Sequence, residues 1–443
     1  MIRRLGVLGC VVGAIALMQP AQAGVKAGST QPVGCRGESD GRTTTAVVRT
    51  IPVGDGPQGV AIDSADDTVY VTNANSDSMS VIDGKSGSVV STVRGFHEPA
   101  GVAVNQKTDV VYVANADDSS ISVLADSARG DRSSVSLAGV AWDVGVDQGD
   151  DTVYATVGTG AAASGSIAII DGRRQQISTV VAIADNNPIA LTVNSLNDRV
   201  YVVGQNSTGI AVISGRESAI DGTIALPGDF WGIAVHETDD TAYVTSYEES
   251  GSLIYISGRA SEVAQSVPTR AYPWGVAVAQ SDNLVYVTNG SLDNVSIFDG
   301  RTGASVAPAI SVGDFPIALD VDQLGANAGT AYVANADGDS VSVLASVQPR
   351  LVTASGQQGS VARVVVRSPQ VAFGLDGSTV TRVCFERRSG ETVRRGLHLT
   401  YLSKGRWSVV VPRALAPGTY AVYVEFAGGR AARAGTFTVR ASG

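Results

Sequence analysis

Apolar and polar positions along this chain alternate in short runs. In DTVYVTNANSDSMSVID, residues 67 to 83, Val69 and Val71 lead up into a polar loop and Ser80 to Ile82 run back down. Alternation of period two marks a half-buried strand, and two such runs around a polar loop mark a hairpin. DVVYVANADDSSISVL, DNLVYVTNGSLDNVSIFD and GTAYVANADGDSVSVL repeat the pattern further along. No long stretch carries the 3.6-residue period of an amphipathic helix.

The hairpin returns at a near-constant interval. Its marker residues are Tyr70, Tyr112, Tyr154, Tyr201, Tyr243, Tyr286 and Tyr332, spaced by 42, 42, 47, 42, 43 and 46 residues. A period of this length with several short strands predicts a β-propeller of seven four-stranded blades, because a lone small sheet cannot bury both of its faces. Full repeats end in a fourth strand such as SVAPAISVGDFP, which finishes at Pro316, but the seventh stops at Ser346 after VSVLAS. The missing strand is found at the other end. AVVRTIPVGDGP, residues 46 to 57, matches SVAPAISVGDFP almost position for position. It is expected to complete blade seven and close the ring, leaving no open sheet edge.

The YVTN and YVAN hairpins, with PxGVAV about a dozen residues upstream, resemble the YVTN-repeat family of seven-bladed propellers. The resemblance covers about residues 46–346. Blades one, two, six and seven match it well, while blade three departs with YATVGTGAAASG and blade four with YVVGQNSTG. It implies an exported ring used for binding, and it brings no agreed catalytic set.

From Arg350 the period is gone. ARVVVRS, RVCFERR, LHLTYLS, RWSVVVP, TYAVYVEF and GTFTVR read as strands between turn signals, so residues 350–443 are expected to form a small immunoglobulin-like β-sandwich. LAPGTYAVYVEF followed by GTFTV is similar to the closing hairpin of bacterial immunoglobulin-like modules, including copper-binding ones. Their copper ligands are not matched, since His398 is the only histidine of this segment.

Charge divides the chain at the same place. Residues 1–349 hold 18 Lys/Arg against 38 Asp/Glu, a net of −20, whereas residues 350–443 hold 14 against 4, a net of +10. An acidic ring repels phosphate backbones, so no general nucleic-acid binding is expected. The basic tail could dock on an anionic surface or on the ring itself.

Arg3 and Arg4, an apolar run from Leu5 to Met18 and the small residues of Ala21-Gln22-Ala23 predict a signal peptide over residues 1–23. The mature chain would begin at Gly24 with an extension over residues 24–45, and the protein would be secreted, periplasmic or cell-surface. No segment is long enough for a membrane-spanning helix. Cleavage would leave Cys35 and Cys384, and two thiols in an exported chain predict a disulfide. Strand direction supports the pairing. Both the start of the closing strand and the exit from blade seven should lie at the bottom of the ring. No Cys/His cluster suggests a metal, and no cofactor motif is present.

A ligand is expected at the top face, where loops enter the innermost strands. Alignment on the tyrosines puts Gln58, Ala100, Trp142, Ile189, Trp231, Trp274 and Ile317 at one equivalent position. Three of the four tryptophans share it, with Phe230, Tyr272, Phe315, Asp229 and Arg270 adjacent. An aromatic mouth with a few polar groups suits a small molecule, a glycan or a protein partner. The alternative is that these tryptophans wedge between blades. His97, Asp143 and Asp320 are weaker candidates for catalysis, as in secreted propeller enzymes of lyase, lactonase or cyclase type. His236, at the far end of an inner strand, is expected to be solvated.

Overall fold

The computed structural model describes residues 44–126, 131–158, 164–184, 187–270, 272–347 and, in the tail, 350–355, 362–367, 380–387, 392–394, 399–403, 406–411, 418–426 and 431–439. Residues 1–43, which include the expected signal peptide and Cys35, lie outside them.

Seven four-stranded antiparallel sheets follow one another along the chain and make the blades of a propeller. Blade one contains Pro57–Asp63, Thr68–Asn73, Ser78–Asp83 and Ser88–Arg94, from the centre outwards. The next five open with Pro99, Val144, Asn187, Phe230 and Pro273. Blade seven takes Pro316–Val321, Ala331–Asn335 and Ser340–Val347 from its own repeat. Its fourth strand is Thr44–Pro52, paired antiparallel from Thr44↔Val347 to Pro52↔Ser340. The ring is therefore closed by the N-terminal strand.

The core lies between blades, because middle strands are buried at successive positions, as at Val69, Tyr70 and Val71, and so bury both faces. Tyr70, Met79, Val81 and Phe96 of blade one pack on Val102, Val111, Val113 and Leu124 of blade two. Val47 of the closing strand joins a cluster with Ile297 and Ile310 of blade six and Val333 and Leu344 of blade seven. Outer strands alternate with solvent, so Val90 and Val180 are 61% and 54% exposed without breaking the pattern.

The YVTN letters have separate structural tasks. The tyrosine crosses to the bottom turn of the next blade: Tyr112 Oη donates to Asp151 at 3.2 Å, Tyr201 to Asp240 at 3.0 Å and Tyr243 to Asn283 at 2.8 Å. The threonine fastens a bulge in its own innermost strand. Register shifts there at Pro57/Gly59, Phe230/Gly232 and Pro273/Val276, for example. Thr72 Oγ1 accepts from the Gly59 N–H at 2.8 Å and donates to the carbonyl of Ala100 in blade two. The asparagine holds the hairpin, as Asn335 Nδ2 does by donating to Ser340 Oγ at 3.2 Å and Ser342 Oγ at 3.0 Å.

In the tail, described strands form two four-stranded antiparallel sheets. One contains Arg350–Ser355, Ala362–Arg367, Arg406–Val411 and Leu399–Ser403, and the other Thr392–Arg394, Val380–Arg387, Gly418–Phe426 and Ala431–Val439. Cys384 is on Val380–Arg387. No helix among the described residues is long and apolar enough to cross a membrane.

Candidate functional site

Innermost strands enter at the end of the ring that also carries the YVTN hairpin tips, since Pro57 pairs with Asn73 and Pro316 with Asn335. On this top face the entry loops of blades five to seven gather aromatic rings. Trp231 and Trp274, at equivalent positions of adjacent blades, lie with ring centroids 4.3 Å apart and planes tilted by 54°. Tyr247 packs on both, at 5.3 Å from Trp231 and 5.2 Å from Trp274. Tyr272 extends the group at 5.1 Å from Tyr247, and Phe315 at 5.5 Å from Trp274. All five rings are half-buried, with part of each still open to solvent.

Two of these rings sit on strained backbone turns. Tyr272 and Phe315 each precede a proline and have φ of +52°, a left-handed conformation that costs a side-chain-bearing residue of order 1 kcal/mol or more. The equivalent residue of blade one, before Pro57, is Gly56 at φ +66°. Neighbouring blades enforce the turn. Phe315 N–H donates to Asp293 Oδ1 at 2.9 Å and Tyr272 N–H to the carbonyl of Glu248 at 2.9 Å. Gly290 leaves room for the cluster, because a Cβ there would come within 2.9 Å of Trp274 and 3.2 Å of Phe315.

Other residues singled out in the sequence fall elsewhere. Trp142 is in blade three, beside Gly158 and next to Asn187, and makes no ring contact with the blade-five to blade-seven group. Phe230 is 2% exposed and belongs to the core between blades four and five, with Tyr201 and Ile233. Asp229 and Arg270 are exposed. The Asp229 carboxylate accepts from the Asn206 N–H at 2.6 Å, so one of its oxygens is committed to a loop. His97 lies on the rim of blade two with Nε2 3.9 Å from Asp118 Oδ2.

Asp143 and Asp320 act across blade boundaries. Asp143 accepts from Val144 N–H at 2.9 Å and from Leu191 N–H of blade four at 3.0 Å. Asp320 accepts from Val321 N–H at 2.8 Å and from Ile62 N–H of blade one at 3.0 Å. Burial pushes both carboxyls up to about 6, against the pull of those backbone donors. Each oxygen is thus tied to a backbone amide, and the two residues face different blades.

His236 corrects the expectation of a solvated side chain. It is 6% exposed, with Nε2 3.1 Å from the Gln280 carbonyl and Nδ1 3.0 Å from Asp239 Oδ1. The Gln280 carbonyl is the hydrogen-bond partner of the buried ring, while Nδ1 lies near Asp239 without a hydrogen bond. Tyr247 was not among the sequence candidates, although the replacement of the hairpin asparagine by Ser246-Tyr247 marks it. Among the described residues, no group of three or more His, Cys, Asp or Glu is placed to hold a metal ion.

No protein-family model matches the chain, and no curated protein does. Among solved structures it is similar to Kuenenia stuttgartiensis hydrazine synthase. The match has a TM-score of 0.57 and 14% sequence identity, and covers 71% of this chain and 98% of that one. At that identity the likeness concerns the fold. The chain shares a propeller fold with a solved structure.

Proposed function

We propose that this is an exported, non-enzymatic binding protein of the YVTN-repeat type, which takes its ligand on the aromatic top face of blades five to seven. One observation carries the reading: Trp231, Tyr247, Trp274, Tyr272 and Phe315 gather there half-buried, with two of them held at positive φ. The tilted, partly exposed rings, with the exposed Asp229 and Arg270 next to them in sequence, offer apolar surface and hydrogen-bonding groups together, which suits a glycan or a small planar molecule. The immunoglobulin-like tail, basic where the ring is acidic, is the part suited to an anionic surface. A Cys35–Cys384 disulfide would tie the extension to it.

An enzyme of lyase, lactonase or cyclase type at the channel mouth is less well supported. Asp143 and Asp320 spend their oxygens on backbone N–H groups of different blades, and His97 stands apart on the rim.

A glycan array, with hits titrated by tryptophan fluorescence, tests the proposal. Hits are expected to change the emission and to bind at least about tenfold more weakly to a Trp231→Ala, Trp274→Ala double variant, since stacking supplies about 0.5–1.5 kcal/mol per ring beyond area burial. Undiminished binding by a folded double variant would remove this face from the account.

A further inference from the structure

At the bottom of the ring, the end of one blade's innermost strand meets a left-handed turn residue of the next blade. At the junction of blades two and three, Asn105 Nδ2 donates to Asp151 Oδ1 at 2.6 Å, and Tyr112 Oη donates to the same oxygen. At blades four and five, Asn194 Nδ2 donates to Asp240 Oδ1 at 2.7 Å, again with Tyr201 on that oxygen. An amide and a phenol thus satisfy one carboxylate.

The junction that closes the ring, from blade seven to blade one, breaks this rule. Asp322 stands where the amide would be, and its carboxyl lies against that of Asp67, within hydrogen-bonding reach if a proton were shared. Both residues are buried, at 1% and 8% exposure. Asp322 Oδ1 accepts from Leu324 N–H at 3.2 Å, and Lys85 Nζ is 3.5 Å from Asp67 Oδ2. Asp322 Oδ2 and Asp67 Oδ1 have no hydrogen-bond partner. In the junctions of blades one and two and of three and four, where Asp63 faces Asp109 and Asp147 faces Asp198, the second acid reaches solvent.

A further group enters the same junction without a partner. Tyr332 Oη is fully buried and unpaired, unlike its counterparts in Tyr112 and Tyr201. It is directed at this site, because a Cβ on Gly84 would lie 3.0 Å from Tyr332 Oη and 3.3 Å from Asp67 Cβ. Asn327, 2% exposed, has neither amide atom hydrogen-bonded. It belongs to the loop Asp322–Thr330, which carries the extra residues of blade seven and folds back through Gly329 N–H to the Asp322 carbonyl at 2.8 Å. That loop lies on Asp67, since a Cβ on Gly325 would be 3.7 Å from Asp67 Oδ1.

We infer that Asp67 and Asp322, with the Tyr332 hydroxyl beside them and the Asp322–Thr330 loop lying on Asp67, form a binding site for a hard divalent cation, Ca²⁺, at the closing junction. Two carboxylates and a hydroxyl are an all-oxygen donor set, which Ca²⁺ takes in flexible geometry and Mg²⁺ accepts less readily. A cation would neutralise the buried pair and supply the partner that the unpaired oxygens lack. Two cations oppose it nearby: Lys85, 61% exposed and on the other oxygen of Asp67, and Arg49 of the closing strand, whose charge acts on Tyr332.

The test uses the purified full-length chain, stripped with EDTA and then titrated with CaCl₂ alone. Calorimetric titration should find one strong site per chain, and saturation should raise the melting temperature by on the order of 5 °C. Asp322→Asn rebuilds the junction in the form already present at Asn105 and Asn194. It should fold, lose the strong site and melt above the metal-free wild type. Wild-type protein without a stoichiometric site would overturn the inference. So would a metal-free protein that acidification alone stabilises while calcium has no effect, because the pair would then be sharing a proton.

Discussion

The hydroxyl of Thr245 accepts from the Gly232 N–H at 2.9 Å and donates across the blade boundary to the carbonyl of Trp274 at 2.5 Å. One buried side chain thus fixes the bulge of blade five and the entry of blade six, the segment that carries a tryptophan of the aromatic face. Thr245→Val keeps the shape but leaves an N–H and a carbonyl unpaired. It should cost about 1–3 kcal/mol, read as a lower urea midpoint with an unchanged slope. A neutral result would mean that neither bond contributes.

The strained turn before Pro316 gives a separate test. Phe315→Ala and Phe315→Gly both remove the ring, but only alanine keeps a Cβ at φ +52°. The glycine variant should be more stable by about 1 kcal/mol. Equal stabilities would show that the turn relaxes when the ring is lost.

Removal of residues 24–56 takes away Thr44–Pro52 and bares the edge of Ser340–Val347. The truncated chain should aggregate or associate edge to edge. Light scattering that found a monomer melting with the wild type would contradict a closing role for this strand.

The buried carboxyls should impose a pH dependence of definite sign. Asp143 and Asp320 are raised to about 6, so their contribution is complete at low pH, where they stay protonated, and is lost as pH rises through 6. Asp320→Asn removes one of them. Relative to wild type, the variant should gain on the order of 1–3 kcal/mol between pH 4.5 and 7.5. Urea unfolding of both proteins across that range checks it, and parallel curves would show that the Asp320 carboxyl does not titrate there.

Repetition made the architecture legible. Seven tyrosines at a near-constant spacing fixed the blade count, and the likeness of residues 46–57 to 305–316 located the closing strand before any coordinates. The candidate site was less legible, because position along a strand does not give the neighbour across a blade boundary. Trp142 shares the register of Trp231 and Trp274, yet it lies in blade three, away from their rings. Asp320 lies on an inner strand and Asp143 at the start of one, but each carboxylate is tied to two backbone amides, one of its own blade and one of the following blade. His236 looked solvated beside acidic residues, while Gln280, more than forty residues away, supplies the carbonyl that allows its burial.

The pairing of Thr44 with Val347 also sets an order of events. A chain made from its N-terminus forms each hairpin from neighbours in sequence, so blades one to six can assemble as they are synthesised. The strand that appears first has no partner until roughly three hundred further residues exist. Closing so long a loop carries an entropic cost that grows only slowly with length, and the main penalty is time, because contacts of high sequence separation form late. Through that interval both ends of the arc remain open to pairing with other chains. Circular permutation that starts the chain at Pro57 and joins residues 44–52 directly after blade seven would make the last pairing local, and refolding at high protein concentration would then lose its window for misassembly.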